Sequence, residues 1–288
     1  MDLIKSIKIT DKNYPALLKK ISSAPKLLYY RGILPTNKEK CFAVVGTRRP
    51  SDYGQRATIK ITQELLGARL VIVSGMAPGI DTFAHQACVE RGTRTIAVLG
   101  TGLDEKSIYP KQNLELSRQI VKTGGCLISE YIEGTPGYAG NFPERNRIVV
   151  ALSLGVLVVE AKMASGTLVT ANLAIQQKKK LFAVPGPIYT LNAEGPNKLI
   201  KAGATLTESA QDIFDVLDID PKKVLQQAPV AQNADEELIF DALQEESLYI
   251  DAIIKKTKLS APVVGSTLAL MEISGKIRNL GGNTYALN

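Results

Sequence analysis

One recurring unit constrains the fold of this sequence more than any other feature. A short apolar run ends in small residues and a segment with helical spacing follows; the unit is clearest between Cys41 and Gly102. The runs are apolar at successive positions, which is typical of strands buried on both faces of a sheet. Their alternation with helices predicts an α/β fold, a parallel sheet with helices on both faces. We expect strands at residues 41–46, 70–74, 95–99, 126–130, 155–160 and 180–184, with a weaker one near 204–206.

Loops of small residues follow the first three of these strands, at Gly46–Arg49, Ser74–Asp81 and Gly100–Asp104. In a parallel sheet such loops meet at one edge, where the ligands of open α/β sheets bind. Small residues let backbone N–H groups approach an anion, and helix N-termini favour negative charge. The sequence therefore predicts an edge that holds phosphates.

The composition of the chain limits the classes of protein to which it can belong. The net charge is +7, which suits a polyanionic partner, and 45% of the 288 residues are hydrophobic. The apolar runs are too short for a membrane span, and the N-terminus lacks a signal-peptide core. Three well-separated cysteines fit free thiols in a reducing compartment. We expect a cytoplasmic protein that does not contact a membrane.

The sequence divides into four segments. Residues 1–40 are expected to form an N-terminal helical and extended appendage, and 41–217 the α/β domain. Residues 218–233 lack apolar periodicity and are interpreted as a linker. Three helical patterns and a terminal hairpin predict a winged helix at 234–288, whose third helix, Val263–Ser274, is apolar and offers few groups that read bases.

The loop after the first strand combines Gly46 and Thr47 with Arg48 and Arg49. A Gly-Thr turn can wrap a phosphate, and an arginine can hold one with two parallel hydrogen bonds. The alternative is an arginine pair exposed after a tight turn. Because both arginines stand at the C-terminal end of a strand, the binding interpretation is favoured.

Two later loops extend this edge. In Asn141–Arg147, Phe142 can stack on a base while Arg145 and Arg147 neutralise phosphates. The alternative, a small hydrophobic plug beside a solvated helix start, remains open. At Ser165–Thr167 the backbone N–H groups of a helix start can bind a phosphate, and an N-cap role for the serine side chain is compatible with that.

Asp81 and His85 lie four residues apart on one helical face, and His85 is the only histidine. Such a pair can act as an acid–base device. No nucleophile is identifiable beside it, so we expect a helix-capping role for Asp81 and a structural, hydrogen-bonded pair. The sequence also lacks a P-loop, a complete dinucleotide fingerprint and any zinc or calcium spacing, so no cofactor or metal is expected.

Taken together, these segments resemble the DNA-processing protein A family, also called Smf or DprA. The resemblance covers roughly residues 10–215, and the C-terminal unit looks like the winged-helix module of that family. The motifs that carry it are AVVGTRRPSDYG (43–54), SGMAPGIDTFAH (74–85), TIAVLGTGLD (95–104), LISEY (127–131), NFPERNRIVVALS (141–153), VVEAKMASGTLVTANLA (158–174), FAVPG (182–186) and GPNKLIKAGA (195–204).

The resemblance implies an extended Rossmann-like fold and a function. Proteins of this family bind and protect single-stranded DNA and load the recombinase RecA onto it during natural transformation, the DNA recombination of competence. They act as homodimers and are not known as enzymes. The partners expected are therefore single-stranded DNA, RecA and a second copy of this chain.

The resemblance also implies which residues contact the strand. Arg48 is the main phosphate contact, Phe142 contacts bases, and Arg145 or Arg147 supports the rim. A basic residue common before the aromatic is absent here, so that contact is either missing or supplied by Lys106 or Lys162. The complete set of expected DNA-binding residues is Gly46, Thr47, Arg48, Arg49, Gly75, Gly79, Gly100, Gly102, Lys106, Phe142, Arg145, Arg147, Lys162, Ser165, Gly166 and Thr167.

Two other functions compete with this one. The first is a nucleotide-processing Rossmann-like hydrolase, but Thr170 stands where such enzymes carry their glutamate. The second is a regulator that reads double-stranded DNA with its winged helix. The apolar third helix fits packing or protein contact better than base readout.

Overall fold

A computed structural model describes residues 3–221, 231, 233–244, 246–274 and 276–287. It contains two compact units, Met1–Pro221 and Lys222–Asn288. The predicted linker at 218–233 lies for most of its length, at 222–230 and 232, outside the described residues.

The first unit is built on one sheet of nine strands. Their order is β1-β2-β6-β5-β4-β3-β7-β8-β9, and every pair from β6 to β9 is parallel. The expected α/β class with a mostly parallel sheet is therefore confirmed. The strands are β1 (Lys5–Lys8), β2 (Leu27–Gly32), β3 (Cys41–Val45), β4 (Val71–Ser74), β5 (Thr95–Leu99), β6 (Cys126–Ser129), β7 (Gly155–Val158), β8 (Lys180–Ala183) and β9 (Thr205–Leu206).

Helices cover both faces of this sheet. Alternate strand residues such as Val73 and Val98 pack with Ile148 of α5 on one face, while Ala97 packs with Ile120 of α4 on the other. Burial on both faces explains why the central strands are continuously apolar. The helices of this unit are α1 (Ala16–Lys19), α2 (Asp52–Gly67), α3 (Ile80–Glu90), α4 (Leu114–Lys122), α5 (Asn141–Leu152), α6 (Gly166–Gln176), α7 (Leu191–Lys201) and α8 (Ala210–Leu217).

The N-terminal segment, residues 1–40, contributes two strands to the main sheet. β2 pairs with β6 in antiparallel register, with Tyr29 opposite Ser129, and β1 pairs with the outer side of β2. Tyr14 and Leu18, which follow β1 in the chain, are fully buried in the same core as the central strands. The segment is therefore structurally continuous with the α/β unit.

Within its described residues, the second unit has three helices and a small antiparallel sheet. The helices are α9 (Ala234–Leu243), α10 (Ile250–Thr257) and α11 (Ala261–Ile273), and the sheet order β10-β12-β11 joins Leu248–Tyr249, Thr284–Leu287 and Ile277–Gly281. Its own core includes Phe240, Leu268 and Tyr285. The expected winged-helix arrangement is confirmed.

Candidate functional site

A pocket of about 420 Å³ opens at the C-terminal ends of β3 and β4, beside the N-terminal parts of α5 and α6. This is the edge at which the sequence predicts a ligand. Most of the predicted binding residues contribute to its walls. They are Gly46, Thr47, Arg48, Arg49, Gly75, Phe142, Arg145, Lys162, Ser165, Gly166 and Thr167.

The other predicted residues lie outside the pocket lining. Gly79 has a φ of +84°, and a Cβ there would overlap the backbone of Thr47 and Arg48, so this glycine lets two loops touch. Gly100 accepts a 3.0 Å hydrogen bond from the Asn141 side chain, directly under the start of α5. These glycines shape the site from below.

Three more of the predicted binding residues lie outside the pocket lining, namely Gly102, Lys106 and Arg147. The N–H of Gly102 donates to Thr135, and the backbone oxygen of Lys106 accepts a hydrogen bond from Lys111. Arg147 forms an ion pair with Glu130, with 2.6 Å between Nη2 and Oε2. Of the two lysines that would supply the family's basic contact, Lys162 alone lines this pocket.

Glu160, which the sequence analysis did not single out, holds the first loop in place. It is buried, its backbone oxygen accepts from the Thr47 N–H at 2.7 Å, and its carboxylate accepts from the Ser51 N–H at 2.8 Å. On the other side, the Asn192 amide donates to the backbone oxygen of Arg49 at 3.1 Å. A buried carboxylate with these partners fixes the backbone of the first loop, while the side chains of Arg48 and Arg49 are exposed to solvent.

Arg48 is exposed, and within the described part of the chain no carboxylate pairs with its guanidinium. Its Cζ lies 5.5 Å from the centre of the Phe142 ring, in cation–π contact. The other neighbour of Phe142 is Tyr109, with 5.6 Å between ring centres. Phe142 is half-buried and contacts both of these side chains. Its packing is that of a small hydrophobic plug, and stacking on a base stays a prediction.

Arg145 lies beneath this surface. It is 4% exposed, and its Nη1 donates to the backbone oxygen of Val98. Burial lowers its pKa to about 10, which the nearby charge of Asp81 opposes. Its Nε has no hydrogen-bond partner among the described residues. A Cβ at Gly75 would overlap the guanidinium, so the glycine is what allows the arginine to lie against the loop.

Asp81 holds the second loop and lies close enough to Arg145 for their charges to interact. Its Oδ2 accepts from the N–H groups of Gly75 at 3.0 Å and Ala77 at 3.4 Å. Burial raises the pKa of this carboxyl, and the charge of Arg145 opposes that shift. The expected helix-capping role needs correction, because the carboxylate binds the loop that precedes the helix.

The expected Asp81–His85 pair is also wrong. The Nδ1 of His85 lies 2.9 Å from the Thr95 hydroxyl, and its Nε2 has no partner within the described residues. Burial, together with the nearby charge of Arg145, lowers the pKa of this imidazole to about 3. His85 is a neutral core residue under β4 and β5 rather than part of an acid–base device.

Ser165 occupies the N-cap position of α6, yet its side chain makes no capping hydrogen bond. The expected capping by this hydroxyl is therefore absent from the described structure. Its Oγ is buried and unpartnered among the described residues, and it lies in the wall of the pocket. A helix N-terminus with an available hydroxyl favours an anionic ligand.

The pocket as a whole is cationic. Arg48, Arg49, Arg145 and Lys162 line it, against Asp81 as the one carboxylate among its described lining residues. An aromatic face beside exposed guanidinium groups can take a base and its phosphate together. In the described residues there is neither a cluster of metal-binding side chains nor a helix long and apolar enough to cross a membrane.

Comparison with known proteins agrees with this architecture. The family model "DNA recombination-mediator protein A" matches residues 5–218, and "DprA winged helix domain" matches 220–283. The chain is 44% identical to DNA processing protein DprA of Streptococcus pneumoniae over 73% of each chain, and 36% identical to protein Smf of Synechocystis over 96% of this chain and 78% of the relative.

Two solved structures are also similar. The X-ray structure of DNA processing protein A from Streptococcus pneumoniae aligns with a TM-score of 0.69 at 42% identity, covering 74% of each chain. That of DNA processing protein A from Helicobacter pylori, described for its single-stranded DNA binding mode, aligns with 0.66 at 30% identity, covering 76% of this chain and 100% of the other.

Proposed function

Because the chain belongs to the DNA recombination-mediator protein A family, we propose that it binds single-stranded DNA in the pocket at the sheet edge. One observation carries the proposal: Arg48 is exposed without a carboxylate partner among the described residues and lies over the half-buried ring of Phe142. The pair offers a phosphate contact and a stacking face side by side. The Helicobacter pylori relative, described for its binding of single-stranded DNA, supports the same ligand.

In the proposed complex, phosphates contact Arg48, Arg49 and Lys162 and the first backbone N–H groups of α6. A base stacks on Phe142, a contact that contributes about 1–3 kcal/mol and tolerates any base. Arg145 acts from beneath the surface, since its buried guanidinium donates to Val98 of β5 and lies against the loop at Gly75. Binding is therefore expected to be independent of sequence.

Beyond strand binding, we propose that the protein protects incoming single-stranded DNA, acts as a homodimer and loads RecA during natural transformation. Two linked pockets would raise the avidity for long strands. Light scattering tests the dimer, and RecA filament assembly on a strand coated with single-strand-binding protein tests the loading. A monomer, or assembly that is no faster with the protein present, would contradict the corresponding part.

We further propose that the pocket binds without turnover. Thr170 is buried in its wall, where the alternative nucleotide hydrolase needs a glutamate, and its hydroxyl is within 3.4 Å of the Gly166 oxygen. The nearest carboxylate in the lining, Asp81, already accepts two backbone hydrogen bonds. Release of base or phosphate from nucleotides would contradict this.

The test is a titration of oligo-dT and of a duplex of the same length at two salt concentrations. We expect tighter binding of the single strand, because the bases of a duplex are not available for stacking. If three side chains contact phosphates, the slope of log K against log salt should be about −2. Equal affinity for the two forms, or affinity that does not change with salt, would contradict the proposal.

A further inference from the structure

A second cavity, of about 380 Å³, lies on the helical layer that contains α5 and α6. It is bounded by α1 and the turn after it, by Arg147 of α5, and by the end of α6 with the residues that follow. The first pocket is lined by the first turns of α6, as far as Thr170, whereas this cavity is lined by its C-terminal part, from Leu173 onwards. They share no lining residue.

The walls of this cavity are strongly basic. Lys20, Arg147, Lys178 and Lys179 line it, and no carboxylate is found among its described lining residues. Burial lowers the pKa of Lys179, and the positive charge of Lys20 lowers it further. Lys20 and Lys179 are thus close enough to repel one another, and an anion between them would relieve that repulsion.

Arg147 is the residue of this lining whose guanidinium is held in a fixed position. Its Nη2 donates to both carboxylate oxygens of Glu130, at 2.7 and 2.6 Å, which sets the plane of the guanidinium. Gln177 donates to the backbone oxygen of Arg147 at 3.2 Å. The remaining Nη1 of Arg147 is buried and has no hydrogen-bond partner among the described residues, nor has the Oε1 of Gln177.

A simpler explanation accounts for only part of this. Lysines at the end of a helix compensate the partial negative charge of its last carbonyl groups, which explains Lys178 and Lys179. It applies only weakly to Lys20, the C-cap residue of α1, because a helix of four residues has a small dipole. It does not explain the orphaned Nη1 of Arg147, because burying a donor without a hydrogen-bond partner is unfavourable.

We propose that this cavity binds a phosphate group, with the Nη1 of Arg147 as its buried donor and Lys20 and Lys178 flanking it. Two sources carry that chemistry: the backbone of a strand that continues past the first pocket, and a free phosphorylated compound. The site does not depend on the function proposed for the first pocket.

The test uses pyrophosphate as the probe and isothermal titration calorimetry as the readout, in the full-length Arg48→Ala protein so that the first pocket contributes less. Lys20→Gln with Lys178→Gln removes two exposed cations, and Lys122→Gln with Lys201→Gln removes two exposed lysines that line neither cavity. We expect affinity about fivefold or more weaker in the first pair and unchanged in the second, as two flanking ion pairs would give. Equal affinities in the two pairs would overturn the proposal.

A second arm separates the two sources in the protein with an intact Arg48. A short and a long oligo-dT are titrated into both pairs, after thermal melting has shown that each variant folds. Weaker binding of the long strand alone, in the Lys20 and Lys178 pair alone, assigns the cavity to the strand. Unchanged strand binding together with lost pyrophosphate binding assigns it to a free phosphorylated compound.

Discussion

The pocket at the sheet edge and the third helix of the C-terminal unit differ sharply as candidate surfaces for DNA. Exposed Arg48, Arg49 and Lys162 surround the pocket. The helix Ala261–Ile273 contains no lysine or arginine. Its outer side instead presents apolar residues, with Leu270 64% and Ile273 75% exposed.

This difference supports the proposal that places strand binding in the pocket. Phosphate contacts supply most of the affinity for nucleic acid, and they require cations that are not already paired. The pocket has them on a rigid base, whereas the helix has an apolar surface that suits contact with protein. A winged helix is therefore not sufficient reason to place DNA on it in this protein.

The largest expected effect comes from removing the unpaired cation of the pocket. Arg48→Ala should weaken oligo-dT binding about 10- to 100-fold, because a hydrogen bond to a charged group contributes about 1.5–3 kcal/mol. Fluorescence anisotropy measures the affinity. The matched control is Arg91→Ala, an exposed arginine beyond the end of α3, which should bind as the unmodified protein does. Unchanged affinity in Arg48→Ala would remove this residue from the site.

The packing of Arg145 beneath the pocket is tested by adding one methyl group at Gly75. Gly75→Ala should destabilise the protein by about 1–3 kcal/mol, since the Cβ overlaps the guanidinium of Arg145 and well-packed cores resist extra volume. Urea denaturation gives the free energy of unfolding. Gly67→Ala is the control, because a Cβ there has no neighbour within 4 Å. Equal stability of the two variants would show that the guanidinium of Arg145 can move to accommodate the added methyl group.

Acid should destabilise the first unit through its buried imidazole. The folded pKa of His85 is about 3, below the ordinary value of 6.5, so below pH 6.5 the unfolded chain binds a proton that the folded chain does not. Stability from this group is therefore lost as the pH falls from 6.5 towards 3, by about 2 kcal/mol between pH 7 and 5. Urea denaturation of the unmodified protein and of His85→Gln measures the difference.

The variant should lose this pH dependence. The second unit should show none from this source, because the chain has a single histidine. A free energy of unfolding that falls equally with pH in the unmodified protein and in His85→Gln would mean that another group causes it.

The smallest effect is expected from the C-terminal unit. A chain ending at Pro221 keeps the whole pocket, so its affinity for a short oligo-dT should change by less than about threefold, within what a surface ion pair contributes. Anisotropy measures the affinity, and thermal melting shows that the shortened chain is folded. A loss of affinity greater than tenfold would indicate that the winged helix, rather than the pocket, supplies most of the strand binding.

The central strands were predictable because burial on both faces leaves a local mark in the sequence. Strand β3, predicted at 41–46, spans Cys41–Val45, and β5 spans the predicted 95–99. β1 and β2 were not assigned to the sheet, since β1 joins it only through β2, and β2 pairs with β6, about a hundred residues away in sequence, a pairing that no local pattern encodes.

The site was predictable in outline for the same reason: loops after parallel strands must meet. The direction of side chains on α5 was harder to foresee. Residues two apart on a helix point about 200° apart, so Arg145 and Arg147 cannot both face one pocket. The buried Glu160 carried a weaker signal, a charged residue directly after an apolar strand, and its partners come from loops far away in sequence.

The short strands at the two ends of the sheet also bear on how the protein behaves at high concentration. β1 has only four residues, with Lys5 and Lys8 exposed, and β9 has two. Unpaired edges of long, flat, apolar strands recruit other chains and start aggregation, and short or lysine-bearing edges reduce that tendency. A protein with this sheet can therefore accumulate in a cell with little risk that its copies will pair edge to edge.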